Sequence, residues 1–474
     1  AHPDCDSHLS FKAEITSHNP MYILAPKETF SSPEMHIGLV DGGLDNAVNR
    51  MHAHIRKSVL NMPEADGRDA LVGAGMGAEH DMGVESTKVF IDRFAELGAE
   101  VFIVDAGWVC PPDEQTRWGD YNGRNLPDAD RYPNGIGEIV DYCHAKGLKF
   151  GLWVDIENLG DFCDAKKEHP EWLAENVFGE KARRFLDFTV PEAAKWAEDE
   201  LARIISDYRI DLLRVDYNVD CSEYFNMRDT GAGYPECLNI RHFNAVYNMY
   251  SNLKKRFPEV IFENCAGGGG RTDLGMMKCF NHTWVSDCQC APESLYITNG
   301  MTMALPPERV DRLFAGMGCH VYGSLDLQMR NTMLTHMTLN VIAPFDAEMN
   351  EGQAEFVKHS VKVYKEFIRP FLAESLVYHH TPETEKAKKD GVMILEIASP
   401  DKSKGAATVM TLVNSGEKAV VFKPKGADKS KQYKVTLDNE GESFVVAGRE
   451  LCSTGIEINL PASLCSELIL YSEI

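Results

Sequence analysis

The sequence contains no apolar run approaching the ~20 residues that a membrane-crossing helix needs, so a membrane partner is not expected. Positive charge is also scarce: 48 Lys and Arg stand against 72 Asp and Glu, a net charge of −24. That balance argues against nucleic acid and anionic membranes as partners, because phosphate binding needs clustered Lys and Arg. A neutral or cationic small substrate is compatible with it. Metal-binding and redox cysteine spacings are missing too. The 13 cysteines are an odd, scattered set, and Cys288 and Cys290, the one close pair, form C-x-C and not a zinc-ribbon spacing. Free, mostly buried thiols in a reducing compartment are therefore expected. This makes a cytoplasmic location the expectation and leaves secreted and periplasmic ones open. No cofactor and no metal is expected. The start Ala1-His2-Pro3-Asp4-Cys5 has no basic stretch followed by an apolar one, so no signal peptide is expected, although a processed or truncated start would read the same. Low-complexity segments are absent.

The chain, at 474 residues, exceeds one ordinary domain. Residues 1–65 read as a short N-terminal region. Phe11–Ile15 and Met21–Leu24 look like remnant strands, and 45–60 has a helical pattern. His52 and His54, two apart, point to different helix faces and are expected to be solvated. From Arg68 onward, strand and helix alternate. Ala70–Val72 is a short strand, and Ser86 can cap a helix whose residues Phe90, Ile91, Phe94 and Leu97 share a face before Gly98. Strands at 101–104, 148–154, 211–215, 260–263 and 283–285 follow, and each runs into Asp or Glu. Repeated βα units imply a parallel sheet, and about 280 residues suit a closed (β/α)8 TIM barrel. The seventh and eighth strands are poorly marked, with 319–322 and 339–342 as candidates. Residues 66–374 are thus expected to form a catalytic barrel with a closing helix at 355–372. From 375 to 474, short alternating strands predict an antiparallel β-sandwich.

In such a barrel, polar residues at the C-terminal strand ends form the active-site rim. Asp216, after Leu212-Leu213-Arg214-Val215, is an acid on a buried strand, which burial penalises unless the strand opens into a site. Carboxylates on several strand ends, with Trp108, Trp118, Trp153 and Trp284 nearby, suit sugar hydrolysis. Two acids supply the nucleophile and the proton, and indole faces stack on sugar C–H surfaces.

Six motifs stand in one order: Phe102-Ile103-Val104-Asp105-Ala106-Gly107-Trp108; Trp118-Gly119-Asp120; Gly151-Leu152-Trp153-Val154-Asp155-Ile156-Glu157; Arg214-Val215-Asp216-Tyr217-Asn218; Phe262-Glu263-Asn264-Cys265-Ala266-Gly267-Gly268-Gly269-Gly270-Arg271; and Trp284-Val285-Ser286-Asp287. This set resembles glycoside hydrolase clan D, family 36, the α-galactosidases, from about residue 33 to 330 and again in the C-terminal β region. The resemblance implies a retaining double displacement on a carbohydrate substrate, with Asp216 as nucleophile and Asp287 as acid/base. It further implies a sugar held by Asp105, Trp118, Trp153, Asp155, Arg214, Asn218, Cys265, Gly267 and Arg271.

Departures from the family bear on the substrate. The family's Asp-Asp before Gly-Trp is Asp105-Ala106 here, and its lysine two before the nucleophile is Arg214. Its Trp-Glu after the first strand is replaced by 73–79, ending at Glu79. Beyond the acid/base, its Asp and Arg are replaced by 288–293, and residues 1–65 leave its large N-terminal β-sandwich mostly absent. An α-galactoside, or a related sugar altered at C4–C6 or C2, is expected. A galacturonide could pair with Arg214, whose fork matches a carboxylate, and a galactosaminide could use Glu79 or Asp155.

Other readings use the same residues. Gly73 to Ala78 after a strand mimics a dinucleotide fingerprint, but no helix starts at the glycines and Asp105 comes too late. Gly267 to Gly270 lacks the Lys-Ser/Thr of a phosphate loop. A sugar-binding barrel without catalysis and an α-galactosyl transferase remain alternatives, as does a homo-oligomeric state.

Overall fold

The computed structural model describes residues 22–60, 70–76, 82–176, 178–218, 227–229, 235–314, 323–340 and 349–474. Eight parallel strands close into a barrel: β1 (Gly73–Met76), β2 (Val101–Val104), β3 (Lys149–Val154), β4 (Leu212–Val215), β5 (Ile261–Asn264), β6 (His282–Trp284), β7 (Val310–Phe314) and β8 (His336–Asn340). Each pairs with its successor, and β1 closes on β8 through Gly73 opposite Thr338. The strands form where β-branched and aromatic residues run together, as in Val101-Phe102-Ile103-Val104, all buried.

The intervening helices are amphipathic. Helix Val84–Leu97 buries Phe90, Ile91, Phe94 and Leu97 against the barrel, each worth about 1.5–3 kcal/mol relative to exposure. It stops at Gly98, whose φ of 92° lies in the left-handed region that favours glycine. Ser86 lies inside the first turn and donates its hydroxyl to the Gly83 carbonyl, so it is not the cap expected from sequence.

Three strands sit elsewhere than the sequence suggests. The first is the glycine-rich Gly73–Met76 and not Ala70–Val72. The seventh is Val310–Phe314, whose central Asp311 and Arg312 hide the apolar signal although both are buried. The expected stretch 319–322 lies outside the described residues. The eighth, His336–Asn340, begins three residues before the expected Leu339.

The N-terminal region also differs in part. Phe11–Ile15 lies outside the described residues, and Tyr22 to Leu24 form no strand. Helix Leu44–His54 continues as a π-helical turn, Ile55–Val59. His52 is buried there, not solvated, and burial lowers its pKa to about 3. Neutral imidazole is the form that a dry helix face admits.

Helix Glu351–Val363 opens with a capping box between Asn350 and Gln353, and its continuation to Leu372 leads to the C-terminal sheets. A six-stranded antiparallel sheet runs in the order β9 (Leu376–His379), β10 (Val392–Ala398), β11 (Lys404–Thr411), β16 (Ser466–Glu473), β13 (Gln432–Leu437), β14 (Glu442–Ala447). The pair β12 (Lys418–Phe422) and β15 (Ile456–Leu460) packs over it, burying Phe422, Ile458, Val435 and Ile469 in one core. The Asn49 side chain joins the two halves, bonding both the carbonyl and the N–H of Val377 at 2.8 and 2.7 Å.

Candidate active site

The C-terminal ends of β2 to β6 bring five carboxylates to one mouth, and their surroundings set them apart. Asp216, one residue past β4, is 7 % exposed and accepts from donors on every side. Oδ2 takes the Trp153 indole N–H at 3.0 Å and the Asn218 amide at 2.6 Å. Oδ1 takes the backbone N–H groups of Tyr217 at 2.8 Å and Gly267 at 2.6 Å. Its orientation is thereby fixed at both oxygens.

Asp287, past β6, is exposed, and its Oδ1 takes the Trp284 indole N–H at 2.7 Å. One tight loop links the two acids. After β5 the chain turns through Ala266, Gly267, Gly268 and Gly269, all with positive φ. The N–H of Gly267 reaches Asp216, while the α-carbon of Gly268 (φ 72°) lies so close to Asp287 that an added Cβ would stand 2.6 Å from Oδ2. Consecutive α-carbons are about 3.8 Å apart, so the loop holds both carboxylates in register. Gly268→Ala is expected to lower kcat about 100-fold, with a small loss of Tm, because it displaces Asp287 and strains the turn. Steady-state kinetics beside thermal unfolding tests this; unchanged kcat would contradict it.

Arg214, inward-facing on β4, is buried between Glu263 on β5, which accepts from its Nε, and Asp105 past β2, whose Oδ2 accepts from Nη1 at 3.0 Å. Its Cζ lies 4.2 Å from the centroid of the Trp284 ring. The register explains the pairing, since Trp153, Arg214 and Glu263 are direct neighbours across β3, β4 and β5. Burial would raise the Glu263 pKa, but Arg214 and His282 outweigh it and hold the carboxyl at about 2. The Asp105 carboxyl is pushed up by the low-dielectric walls around it, against the pull of Arg214. Asp155 is pushed well above the ordinary carboxylate range by burial and by the neighbouring Asp216 charge. Its Oδ2 accepts from the Asn218 N–H at 3.1 Å and from the Asn122 and Asn158 amides at 3.4 Å each.

Other expected positions fall in two groups. Trp118 is half-buried and meets Trp153 edge to face at 5.1 Å, so it joins the mouth. The Cys265 thiol is buried, which, with the Asp216 charge, keeps its pKa well above the ordinary value. Arg271 turns away from the acid pair. It forks onto Glu157 at 2.7 and 3.1 Å and covers the Tyr217 ring, and Glu157 is held at about 2 by Arg271 and His242 against its burial. Trp108 is core, donating to the Trp153 carbonyl at 2.9 Å. Glu79 lies outside the described residues.

Sequence reasoning left Glu263 and Asn122 without roles. Glu263 carried a usable signal, since it stands two residues from Ile261 on a strand whose alternate residues face inward. Asn122 carried none, sitting in the long loop after β2.

A (β/α)8 barrel with strand-end carboxylates and indoles around one mouth is the build of a glycoside hydrolase. The chain belongs to the melibiase family, whose model matches residues 29–373. It is 29 % identical over 299 residues to α-galactosidase Mel36A of Lactobacillus acidophilus, covering 62 % of this chain and 40 % of that protein. It is 25 % identical over 397 residues to an Escherichia coli α-galactosidase, covering 82 % of this chain and 53 % of the relative. The chain therefore spans about half the length of the curated relatives that it matches. Among solved structures, a variant of the GH36 α-galactosidase AgaA from Geobacillus stearothermophilus in complex with stachyose superposes with a TM-score of 0.81 at 20 % identity, over 92 % of this chain and 60 % of that one. The Lactobacillus brevis α-galactosidase gives 0.79 at 22 %, over 91 % and 58 %.

Proposed function

We propose that the chain hydrolyses α-galactosides with retention of configuration. Asp216 attacks the anomeric carbon to form a β-linked glycosyl-enzyme while Asp287 gives its proton to the leaving oxygen. Asp287 then takes a proton from the water that releases the sugar. The observation that carries this reading is the contrast between the two acids. Asp216 is dry and aimed by four N–H donors, as an attacking oxygen must be. Asp287 is open to solvent, on the side where the leaving group departs and the attacking water enters.

The sugar would lie on Trp153 and Trp118, with Asn218, Asp105 and Asp155 supplying polar contacts. A galactose-related sugar altered at C4–C6 or C2 remains part of this proposal, and the site's charges weigh between galacturonide and galactosaminide. Two arms of the Arg214 fork are engaged by Glu263 and Asp105, which removes the bidentate grip that a galacturonide would use. The Asp216 charge in the same mouth repels an anionic sugar, while an amino sugar meets no such penalty. Plain galactoside comes first and galactosaminide second.

A screen of aryl α-galactoside, α-galactosaminide and α-galacturonide, with NMR of the first-formed anomer, tests this. The α-anomer from a neutral or amino sugar is expected. A β-anomer as first product, or turnover of galacturonide alone, would overturn it. The same assay with a sugar acceptor separates hydrolysis from transfer, and no turnover of any aryl glycoside would favour a binding barrel.

A further inference from the structure

We infer that the barrel interior beneath the catalytic mouth is a binding site for a divalent cation of the zinc class, formed by His282, Asp311 and His336. This departs from the expectation, drawn from cysteine spacing alone, that the protein takes no metal. The three residues come from β6, β7 and β8 and are separated by 29 and 25 positions, so no sequence motif announces them. Register brings them together: Asp311 is directly opposite His336, and Trp284, two residues beyond His282, is directly opposite Asp311. One donor atom from each lies within 4.8 Å of the others. All three residues are at most 2 % exposed.

Two features set this cluster apart from an ordinary polar layer. First, each residue keeps a buried atom without a hydrogen-bond partner: Nδ1 of His282, Oδ1 of Asp311 and Nδ1 of His336. A dry interior penalises such atoms, and three in one cluster mark a place where a further partner belongs. Nδ1 of His336 and Oδ1 of Asp311 are 3.4 Å apart, close to the edge of a coordination polyhedron. Second, the remaining donor atoms of two of them are already engaged from outside. Glu263 lies 3.0 Å from Nε2 of His282, and the Thr338 hydroxyl donates to Oδ2 of Asp311 at 3.1 Å. Metal ligands are held in this way, with the far ring nitrogen or the second oxygen fixed by an outer partner. The two imidazoles stack at 3.8 Å with 14° between their planes.

Two imidazoles and one carboxylate suit Zn²⁺, with Co²⁺ as its spectroscopic substitute, and not Mg²⁺ or Ca²⁺, which prefer all-oxygen shells. Trp284 and Leu313 stand two residues nearer the mouth than His282 and Asp311 on the same strands, in one apolar cluster with Cys265. The ion would therefore brace β6, β7 and β8 without touching substrate, and it would reach the mouth through Glu263 and Arg214.

The full chain, stripped with a chelator and dialysed, should take up one Zn²⁺ from ZnCl2 by elemental analysis. Its Tm should rise by about 2–4 °C at a roughly hundredfold excess over Kd. Asp311→Asn and His336→Gln should lose both responses. The exposed pair His36 and His54, whose rings approach to 2.6 Å, is a second place for zinc, so His54→Gln is measured alongside. Zinc that persists in Asp311→Asn and disappears in His54→Gln overturns the inference. So does wild-type protein, folded by circular dichroism, that neither holds zinc nor gains Tm, whatever the fate of the variants.

Discussion

Asp216→Ala is expected to lower kcat for an aryl α-galactoside by about 10⁴-fold, because the glycosyl-enzyme can no longer form. The loss alone does not establish the role. Asp216 accepts from four N–H groups, and emptying that pocket also leaves donors unpaired, at about 1–3 kcal/mol each where buried. Asp216→Asn keeps the shape and most of the hydrogen bonds, and it should be equally inactive with a smaller loss of Tm. Azide adds a stereochemical readout. In Asp216→Ala it would occupy the vacated side of the sugar and give the β-galactosyl azide. In Asp287→Ala it would attack the glycosyl-enzyme from the opposite face and give the α-azide. Asp287→Ala should lose about 10²- to 10⁴-fold in kcat/KM on an alkyl galactoside, whose leaving oxygen needs a proton, and far less in kcat/KM on a dinitrophenyl galactoside, whose leaving group does not. Azide products of the same configuration from both variants would refute the assignment.

Arg214→Met should be the most destabilising single change at the mouth, by about 3–5 kcal/mol in denaturant unfolding, because it leaves the buried Glu263 carboxyl without its cation and with only the His282 ring beside it. Arg214→Met with Glu263→Leu should recover a large part of that loss, since an apolar pair meets no desolvation penalty. Equal instability of the single and double variants would refute the account. The pH dependence follows with its sign. The Glu263 pKa is lowered from 4.5 to about 2 in the fold, so the pair's contribution is present above about pH 4.5 and is lost as pH falls through about 2. Without Arg214, burial dominates and raises the Glu263 pKa, so the variant should instead lose stability as pH rises from about 4.5. The Glu157 pairing with Arg271 titrates over the same acid interval in both proteins, and it is the difference between their profiles that isolates Glu263.

The sequence by itself determined the βα alternation, the barrel class, the antiparallel C-terminal sheet and the family. These signals are local: residues such as Phe90, Ile91, Phe94 and Leu97 repeat at helical spacing, and apolar strands end in an acid. It also supplied the identities of Asp216 and Asp287 through motifs, while the roles proposed for them await the kinetics above. The tertiary structure decided what depends on register between distant strands. Arg214 could be read from sequence as a free fork for a substrate carboxylate, but its neighbours on β5 and β2 engage two of its arms. Arg271, in the same motif as Gly267, goes to Glu157 instead of the mouth. His52 looked solvated because helical periodicity does not say which face another element covers. The seventh strand was hidden because its Asp311 and Arg312 break the apolar run, and they are buried only by other strands and helices, which no local window contains. The unpartnered atoms of His282, Asp311 and His336 likewise exist only once β6, β7 and β8 lie side by side. Local chemistry is written in the order of residues, but the pairing of buried charges is set by which strands the closed barrel makes adjacent.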